Sequence, residues 1–336
     1  MRHFLLSYLI TAIALTASYF WAGLHGLMIC ALMILLEVSF SFDNAVVNAV
    51  VLKDMSKLWQ KRFLTWGMLV TVFGMYYLFP LLIVSVATGL SLIDVTHLAL
   101  DAPDEYSRHL TESHVQIATF GGMFLLMVFL SFILDEHKKR HWLGRIEAHL
   151  AKLGKLEAVE TIVALIVLLV LQMFLPEAER AHALTSGVFG VVLYVGINSI
   201  IALFGMKGKG GSGTGYCGIA GFLYLNLLDA SFSLDAVIGS FAISNDIVII
   251  VLGLSAGAMF VRSLTVHLVR QGTLDKYIFL EHGAHYAIGA LAVIMLASLL
   301  EPVSEFVTGT VGIAFILLSL WSSVCFNRKT LLNDKK

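Results

Sequence analysis

Residues 36–47 read Leu-Glu-Val-Ser-Phe-Ser-Phe-Asp-Asn-Ala-Val-Val, and residues 228–238 repeat the pattern as Leu-Asp-Ala-Ser-Phe-Ser-Leu-Asp-Ala-Val-Ile. We call these stretches the first and the second acidic phrase. Each phrase places two carboxylates six residues apart inside a long apolar run. A carboxylate at the centre of a membrane helix costs about 2.5–3.5 kcal/mol on insertion scales, so the four acids require a compensating partner. A bound cation is the simplest candidate for that partner.

The composition of the chain is that of a membrane protein. Of its 336 residues, 58% are hydrophobic and only 13% are charged, and the mean hydropathy is +0.87; a soluble domain carries about 25% charged residues. Apolar stretches of about 20 residues recur along the chain, which predicts an all-α, polytopic bundle of transmembrane helices. The cysteines Cys30, Cys217 and Cys325 are isolated, so neither a disulfide framework nor a cysteine metal site is predicted. We expect no nucleic-acid partner.

Ten membrane spans are predicted, forming a single integral membrane domain over residues 1–336. They run approximately over residues 4–22, 27–52, 63–90, 115–134, 159–175, 184–204, 217–243, 246–264, 284–300 and 306–326. Basic residues concentrate in the loops that follow the even-numbered spans, whereas the alternate loops are acidic or nearly uncharged. By the positive-inside rule, this pattern predicts a multi-pass protein of the bacterial inner membrane with both termini in the cytoplasm.

Two of the predicted cytoplasmic loops have a distinctive sequence composition. Residues 135–158 are predicted to form an amphipathic loop helix, because apolar residues recur in it at helical spacing. These apolar residues are Trp142, Leu143, Ile146, Leu150 and Leu153. Residues 205–216 are rich in glycine and are predicted to be a flexible linker; a phosphate-binding loop is disfavoured because the Gly-Lys-Ser/Thr ending is missing.

The two acidic phrases cross the membrane in opposite directions in this topology. The first phrase lies in the second span, which runs from outside to inside, and the second lies in the seventh span, which runs from inside to outside. Repeated sequence in opposite orientation is the signature of inverted-repeat transporters, whose sites lie near the midplane where the repeats meet. The ten spans divide as five plus five, and a three-helix unit repeated at spans 2–4 and 7–9 fits equally well. With the three-helix unit, the first repeat half covers residues 27–134 and the second covers 217–300.

If both phrases are regular helices, polar residues form one stripe along each of them. The stripes consist of Glu37, Ser41, Asn44 and Asn48 on the first helix and of Asn226, Asp229, Ser233 and Ser240 on the second. Asp43 and Asp235 then lie about 120° away from these stripes. Either each phrase supplies one carboxylate to a shared site, or the helix is unwound at Ser-aromatic-Ser so that all the carboxylates converge.

The chemistry of the two phrases indicates a class of ligand. They offer carboxylate, amide and hydroxyl oxygens and contain neither His nor Cys. Hard cations such as Mg²⁺, Ca²⁺ and Mn²⁺ prefer such oxygen ligands, whereas zinc and copper sites recruit imidazole or thiolate. The same acids would repel an anionic substrate. The serines and asparagines can also serve as hydrogen-bonding contacts between helices, but four carboxylates in two matched phrases are not explained in that way.

The phrases resemble the paired motifs of the TerC family of integral membrane proteins. The resemblance continues through residues 253–262, Gly-Leu-Ser-Ala-Gly-Ala-Met-Phe-Val-Arg, and residues 277–290, Tyr-Ile-Phe-Leu-Glu-His-Gly-Ala-His-Tyr-Ala-Ile-Gly-Ala. It covers about residues 27–300. The tail of the first phrase and the His-rich segment resemble a long branch of that family whose function was left unnamed.

The resemblance implies manganese efflux, which several members of the family carry out, and an association with resistance to tellurium compounds. The residues that it assigns to metal binding are Glu37, Asp43 and Asn44 in the first phrase and Asp229 and Asp235 in the second. This chain departs from strict symmetry because the second phrase has Ala236 where the first has Asn44. Tellurite is not implied as the substrate, since the acids disfavour an oxyanion.

Further residues are candidates for accessory roles. Ser41, Asn48 and Ser233 are polar neighbours of the acids. Arg262 is either an anchor at a membrane boundary or a tethered cation that balances the acids when the metal leaves. The segment with Glu281, His282 and His285 can bind metal or relay protons, or its histidines are ordinary interfacial residues.

The function predicted from these patterns is export of a divalent cation by alternating access. Mn²⁺ is the expected substrate, with Ca²⁺ and Mg²⁺ as alternatives, and proton antiport through the same carboxylates is the expected coupling. We predict no enzymatic activity and no cofactor, with the metal ion and the bilayer as partners; a homo-oligomer is left open. The alternatives are an intramembrane enzyme with paired acids, although the Tyr-Asp and Gly-x-Gly-Asp phrases of intramembrane aspartyl proteases are missing, and a membrane scaffold or sensor of a metal or tellurium stress response.

Overall fold

The computed structural model describes the backbone of residues 4–138, 140–156, 158–203, 218–241, 243–301 and 303–333. The side chains at positions 87, 201–203, 220, 234, 235, 238, 305 and 329–333 lie outside this description. Every regular element within these ranges is helical. The predicted Gly-rich linker, residues 205–216, falls outside the described residues.

The chain forms a series of helices of very different lengths. In order they are α1 (Phe4–Phe40), α2 (Phe42–Lys53), α3 (Lys57–Leu69), α4 (Phe79–Thr88), α5 (Leu92–Asp101), α6 (Pro103–Glu112), α7 (His114–Ile133), α8 (Arg145–Leu153), α9 (Val159–Leu171), α10 (Glu177–Leu203), α11 (Gly218–Ser240), α12 (Ile247–Arg270), α13 (Thr273–Lys276), α14 (Leu280–Ala297) and α15 (Glu305–Asn333). A π-helical segment, Val70–Leu78, joins α3 to α4, and a 3₁₀ turn, Gln172–Phe174, extends α9.

Seven stretches within the described residues are long and apolar enough to cross a membrane. They are Phe4–Phe40, Lys57–Val86, His114–Ile133, Glu177–Ile200, Ile247–Arg270, Leu280–Ala297 and Phe306–Arg328. The structure therefore agrees with the predicted all-helical, multi-pass class. The predicted number of ten spans differs from these seven at three places. Helix α1 contains two predicted spans, the apolar helix Val159–Phe174 is shorter than the others, and α11 is not among the seven.

Helix α1 contains a sharp reversal at Ala22 and Gly23, which have non-helical backbone angles. Gly23 has a φ of +65°, a left-handed conformation that glycine adopts without a steric penalty. Contacts with α12 show that the chain turns back here. The first limb of α1, residues 4–21, runs antiparallel to α12, because the Ser7 hydroxyl donates to the carbonyl of Met259 (3.1 Å) and Trp21 Nε1 donates to Asp246 (2.8 Å).

The second limb of α1, residues 24–40, runs parallel to α12. Gly253 of α12 packs against Met33, and Gly257, one turn further on, packs against Glu37. Side chains at these two glycines would collide with the neighbouring limb, so glycine permits the close approach of the two helices. The first acidic phrase is thereby pressed against the centre of the bundle.

The centre of the bundle is formed by α7, α12 and α14, which are 72%, 72% and 61% buried over their apolar windows. The corresponding stretches of α1, α10 and α15 are only 28% buried, so these helices lie at the periphery and present apolar side chains outward. Such a distribution is expected of a protein whose outer surface faces lipid. Helix α2, which carries the end of the first phrase, is almost entirely buried.

The connecting segments contain more and shorter helices than the sequence patterns predict. Among the described residues of the predicted amphipathic segment 135–158, Arg145–Leu153 alone forms a helix. The described residues just before it form a turn that ends at Gly144, with a φ of +59°. The acidic stretch between α4 and α7 forms α5 and α6. The Ser91 side chain caps α5, and Pro103 stands in the first turn of α6, a position that tolerates proline.

Candidate cation site at the first acidic phrase

The helix of the first acidic phrase is interrupted at a single residue. Helix α1 ends at Phe40 and α2 begins at Phe42, and between them Ser41 has φ −95° and ψ 19°. The backbone N–H of Ser41 still donates to the carbonyl of Glu37 (3.0 Å), and the N–H of Ala45 donates to the carbonyl of Ser41 (3.2 Å). The second phrase lies inside α11, which is continuous. Local unwinding at Ser-aromatic-Ser, one of the two predicted alternatives, therefore occurs in the first phrase only and is slight.

Both carboxylates of the first phrase line one cavity that is partly open and has a volume of about 70 Å³. The first phrase contributes the polar residues Glu37, Ser41, Asp43 and Asn44 to its wall, α11 contributes Phe232, Ala236 and Ser240, and α15 contributes Thr308 and Gly309. A space of this size accommodates a cation with a few of its water molecules. The two phrases thus meet at this cavity, but most of its described polar groups come from the first.

Glu37 accepts hydrogen bonds from two hydroxyl groups. Its Oε1 lies 3.1 Å from the Ser41 hydroxyl and 3.3 Å from the Tyr76 hydroxyl, and the residue is only 6% exposed. Tyr76 belongs to the π-helical segment, and its hydroxyl also interacts with the hydroxyl of Ser233 in the second phrase. A chain of hydroxyl groups therefore links Glu37 to the second phrase.

Asp43 is buried without a full set of partners. It is 7% exposed, and its Oδ1 has no hydrogen-bond partner among the described residues. Gly312 of α15 lies directly against the carboxylate, so that a Cβ at that position would collide with Oδ2. A buried carboxylate oxygen that lacks a donor is costly. It is therefore available to a ligand that carries positive charge.

Both carboxylate oxygens of Asp229 have partners, unlike those of Asp43. One of its oxygens accepts from the Asn48 amide, and the other forms an ion pair with the guanidinium of Arg262. Arg262 is 2% exposed and is held by the carbonyl of Phe63 (2.8 Å) and by the hydroxyl of Thr71. Asp229 is consequently neutralised by a protein cation in this structure.

The acids of the two phrases are therefore not equivalent. Among the described side chains, Glu37 and Asp43 form no ion pair with Lys, Arg or His, whereas Asp229 forms one with Arg262. The fourth acid, Asp235, is the other predicted ligand of the second phrase, and its side chain lies outside the described part of the structure. The first phrase thus presents two buried carboxylates that form no ion pair with any described side chain, whereas the charge of Asp229 is compensated by Arg262.

The predicted accessory residues separate into two groups. Asn48 belongs to the acid network, and its Oδ1 is buried without a partner among the described residues. Glu281, His282 and His285 do not line the cavity. Glu281 pairs with Lys53 (3.3 Å). His282 contacts the carbonyl of Arg140 (3.0 Å), and His285 stacks on the ring of Phe132 (centroids 3.8 Å apart).

No group of three or more His, Cys, Asp and Glu residues in the described part of the chain is arranged to hold a metal. A cation in this cavity would therefore be bound by two carboxylates together with hydroxyl and amide oxygens and water. Mg²⁺ commonly binds in this way, through one or two carboxylates and several waters. Such a site suits an ion that enters and leaves more than one that is held permanently.

Several residues of the site are missed by the sequence patterns. Tyr76 and Thr71 lie in an apolar run that marks neither of them. Gly312 lies beyond the region of the TerC resemblance, but Thr308 and Gly312 have the four-residue spacing of small residues at close helix contacts, and this signal could have identified it. Glu147 attracts no attention in the sequence, yet it is fully buried and paired with Lys138.

Comparison with known proteins yields one match. A family model described as a protein of unknown function (DUF475) matches residues 42–330. The matched region begins within the first acidic phrase, includes the whole second phrase and extends into α15. No curated protein matches the chain, and no solved structure matches it.

Proposed function

The chain belongs to the DUF475 family, and we propose that it is a membrane transporter that exports a divalent metal cation, with Mn²⁺ as the leading candidate and Ca²⁺ and Mg²⁺ as alternatives. The observation that carries this proposal is the pair Glu37 and Asp43, two buried carboxylates that line one cavity and form no ion pair with any described side chain. A dication in the cavity would supply the missing charge. The four predicted oxygen donors of the first phrase suit a hard cation.

The resemblance to the paired motifs of the TerC family supports the same proposal. It assigns Glu37, Asp43, Asn44, Asp229 and Asp235 to the metal. We modify this assignment for Asp229, because its pairing with Arg262 leaves it without free charge. Arg262 takes the role of the tethered cation that was one alternative at the sequence level. Asp235 is retained as a third acid on sequence grounds alone, next to Ala236 of the cavity wall.

We further propose the ten-span arrangement with its inverted repeat. The two limbs of α1 run in opposite directions and would count as two spans, and α9 with its 3₁₀ extension and α11 would complete the set. The second limb of α1 and α12 are parallel, and α11 precedes α12 with only a short connection. The two phrases would then cross in opposite directions, as an inverted repeat requires.

The orientation with both termini in the cytoplasm of a bacterial inner membrane is supported by which loops meet. Loops predicted to be outside contact one another, since Trp21 bonds to Asp246 (2.8 Å) and Asn245 bonds to Asp104. Loops predicted to be inside also meet, as in the pair of Lys53 and Glu281 (3.3 Å). The basic residues of the second set would lie in the cytoplasm by the positive-inside rule.

Export of a dication requires an energy source. Moving positive charge outward works against the membrane potential, at about 2.3 kcal/mol per charge per 100 mV. Proton antiport through Glu37 and Asp43 would supply this energy, because protons and the metal neutralise the same carboxylates. The Tyr76 hydroxyl, which links Glu37 to Ser233, provides a contact through which the first phrase and α11 would respond together.

A metal-sensing or structural scaffold is the alternative that one observation favours. The network of Asn48, Asp229 and Arg262 ties α2, α11 and α12 together, which is what buried polar residues do in a scaffold. A scaffold would bind metal or nothing at all, and it would not move the ion across the membrane. Transport assays therefore separate the two functions.

The test is uptake of metal into inside-out membrane vesicles, with Mn²⁺, Ca²⁺, Mg²⁺ and Zn²⁺ measured in parallel. We expect uptake of Mn²⁺ by the wild type and its loss in Asp43→Asn, since the amide keeps the size of the side chain but removes the charge. The matched control is Asp54→Asn, an exposed acid at the end of α2, which should transport as the wild type does. Equal Mn²⁺ uptake by Asp43→Asn and the wild type would overturn the assignment of the site.

A further inference from the structure

Helix α8 exposes an apolar face that nothing in the described chain covers. Within the helix, Ile146, Leu150 and Leu153 are 66%, 36% and 47% exposed. Leu143, before the helix, and Leu156, after it, are 49% and 61% exposed. At 100° per residue, the three helical residues and Leu143 fall on one side of the helix. Five large aliphatic side chains within fourteen residues therefore project away from the protein.

The side of α8 next to this apolar face packs against the bundle. Glu147 and Ala151 are the buried residues of α8, and the Glu147 carboxylate forms an ion pair with Lys138 and lies 3.6 Å from Nε2 of His282. At the other end of the helix, Gly154 approaches the backbone of Leu134 so closely that a Cβ would collide with it. The helix is thus held in a defined orientation.

These attachments place α8 at a boundary of the membrane. Leu134 directly follows α7, and His282 lies in the first turn of α14, and both of these helices are apolar enough to span the bilayer. A helix attached to the ends of two spans lies at the level where hydrocarbon gives way to headgroups. This placement depends only on which ends of the helices meet, and it holds whether or not the protein transports a metal.

The remaining face of α8 is basic. Arg145 and Lys152 lie on the side opposite to the buried edge, and Lys155 follows the helix; all three are exposed. Within residues 145–156 the sole acid is Glu147, which is buried and paired. The exposed charge of this segment is therefore entirely positive.

We infer that α8 lies in the membrane interface and binds anionic phospholipid headgroups, with its aliphatic face in the acyl boundary and its basic residues on the phosphates. An apolar face flanked by Lys and Arg is the pattern of interfacial helices, and a negatively charged leaflet attracts such basic residues. The charge complementarity selects anionic lipid over a second protein, which would have to cover the aliphatic face and the basic edge together.

The position of α8 is tested with the full-length protein in nanodiscs, after replacement of Cys30, Cys217 and Cys325. A fluorophore that reports polarity is attached to Ile146→Cys or, as the matched control six residues further along the helix and on its basic side, to Lys152→Cys. We expect brominated phospholipid to quench the Ile146 label strongly and the Lys152 label weakly. Weak quenching at both positions would overturn the inference, because the aliphatic face would then be in water or under protein.

The preference for anionic lipid is tested by the association of spin-labelled phosphatidylglycerol and phosphatidylcholine with the same protein. The variant Arg145→Gln, Lys152→Gln, Lys155→Gln should lower the preference for phosphatidylglycerol by about fivefold or more, since it removes all three positive charges that attract the anionic headgroup. Arg108→Gln, an exposed change on α6, is the control and should leave the preference unchanged. An unchanged preference in the triple variant would overturn the binding of headgroups.

Discussion

Asp43 of the first acidic phrase and Asp229 of the second are both buried aspartates, but their surroundings give them different chemistry. Asp229 is surrounded by Asn48 and Arg262, whereas Asp43 has an oxygen without a donor among the described residues. Asp229 holds helices together, whereas Asp43 is open to a cation. A buried acid becomes a candidate metal ligand when no protein cation pairs with its carboxylate. Its position in a repeated sequence motif is not enough to identify it as a ligand.

Gly312 offers a test of Asp43 that leaves every acid in place. In Gly312→Ala the new Cβ collides with the Asp43 carboxylate and must displace it from the cavity. We expect the affinity for Mn²⁺ to fall about tenfold or more, a change of about 1.4 kcal/mol. The measurement is a Mn²⁺ titration of the purified protein.

The control for this change is Gly196→Ala in α10. Nothing lies within 4 Å of a Cβ built at Gly196, so the same substitution in another apolar helix meets no neighbour. We expect its affinity for Mn²⁺ to match that of the wild type. If both variants bind Mn²⁺ with wild-type affinity, the Asp43 carboxylate is not a ligand.

At the scale of single elements, sequence patterns locate the motif helices well and their breaks poorly. The matched phrases identify Glu37, Asp43 and their polar neighbours, and the structure brings Glu37, Ser41, Asp43 and Asn44 to one cavity. The interruption at Ser41 in the first phrase and the continuity of the second have no distinguishing local signal, since both phrases read Ser-Phe-Ser. Backbone geometry here depends on the helices that pack around each phrase.

The same limit applies to the partners of the acids. Arg262 is visible in the sequence as a charge within an apolar helix, but its pairing with Asp229 depends on the packing of α12 against α11 and the π-helical segment. The amphipathic pattern of 135–158 indicates a helix, yet the helix covers only Arg145–Leu153. The pattern also does not reveal that the buried edge carries Glu147 while the aliphatic face is exposed.

Glu147 connects α8 to the bundle, and its role can be measured through pH. Burial by itself raises the pKa of this carboxyl, but the hydrogen bonds and charge of Lys138 and the N–H of Leu143 outweigh burial and hold the pKa below its usual value of 4.5. An acid with a lowered pKa in the folded state stabilises the fold above its usual pKa, and this contribution is lost as the pH falls through the folded value.

We therefore expect Glu147→Gln to lower the free energy of unfolding by about 1.5–3 kcal/mol at pH 7, because Lys138 loses its counter-charge. The difference from the wild type should shrink as the pH falls below 4.5. Thermal unfolding in detergent over this pH range provides the measurement. Glu136→Gln, an exposed change in the same loop, serves as the control. A difference that persists unchanged at low pH would show that the ion pair is not its source.

At the scale of the whole molecule, the described charges fall into three arrangements. Exposed charges face water, the buried acids Asp229 and Glu147 are paired with Arg262 and Lys138, and the unpaired carboxylates of Glu37 and Asp43 face the cavity between α1, α2, α11 and α15. The first two arrangements are compensated by water or by a protein cation. The third lacks compensation from the described chain, and on our proposal the transported ion completes it.

The most direct test of this account is calorimetric titration of the purified protein with Mn²⁺ at pH 7. We predict that the wild type and the exposed control Asp54→Asn bind Mn²⁺ with the same affinity and that the double variant Glu37→Gln, Asp43→Asn shows no binding heat. Since ligands must lose their protons to bind a metal, the heat for the wild type should also differ between two buffers of different ionisation enthalpy. Absence of binding in the wild type, or undiminished binding in the double variant, would contradict the account.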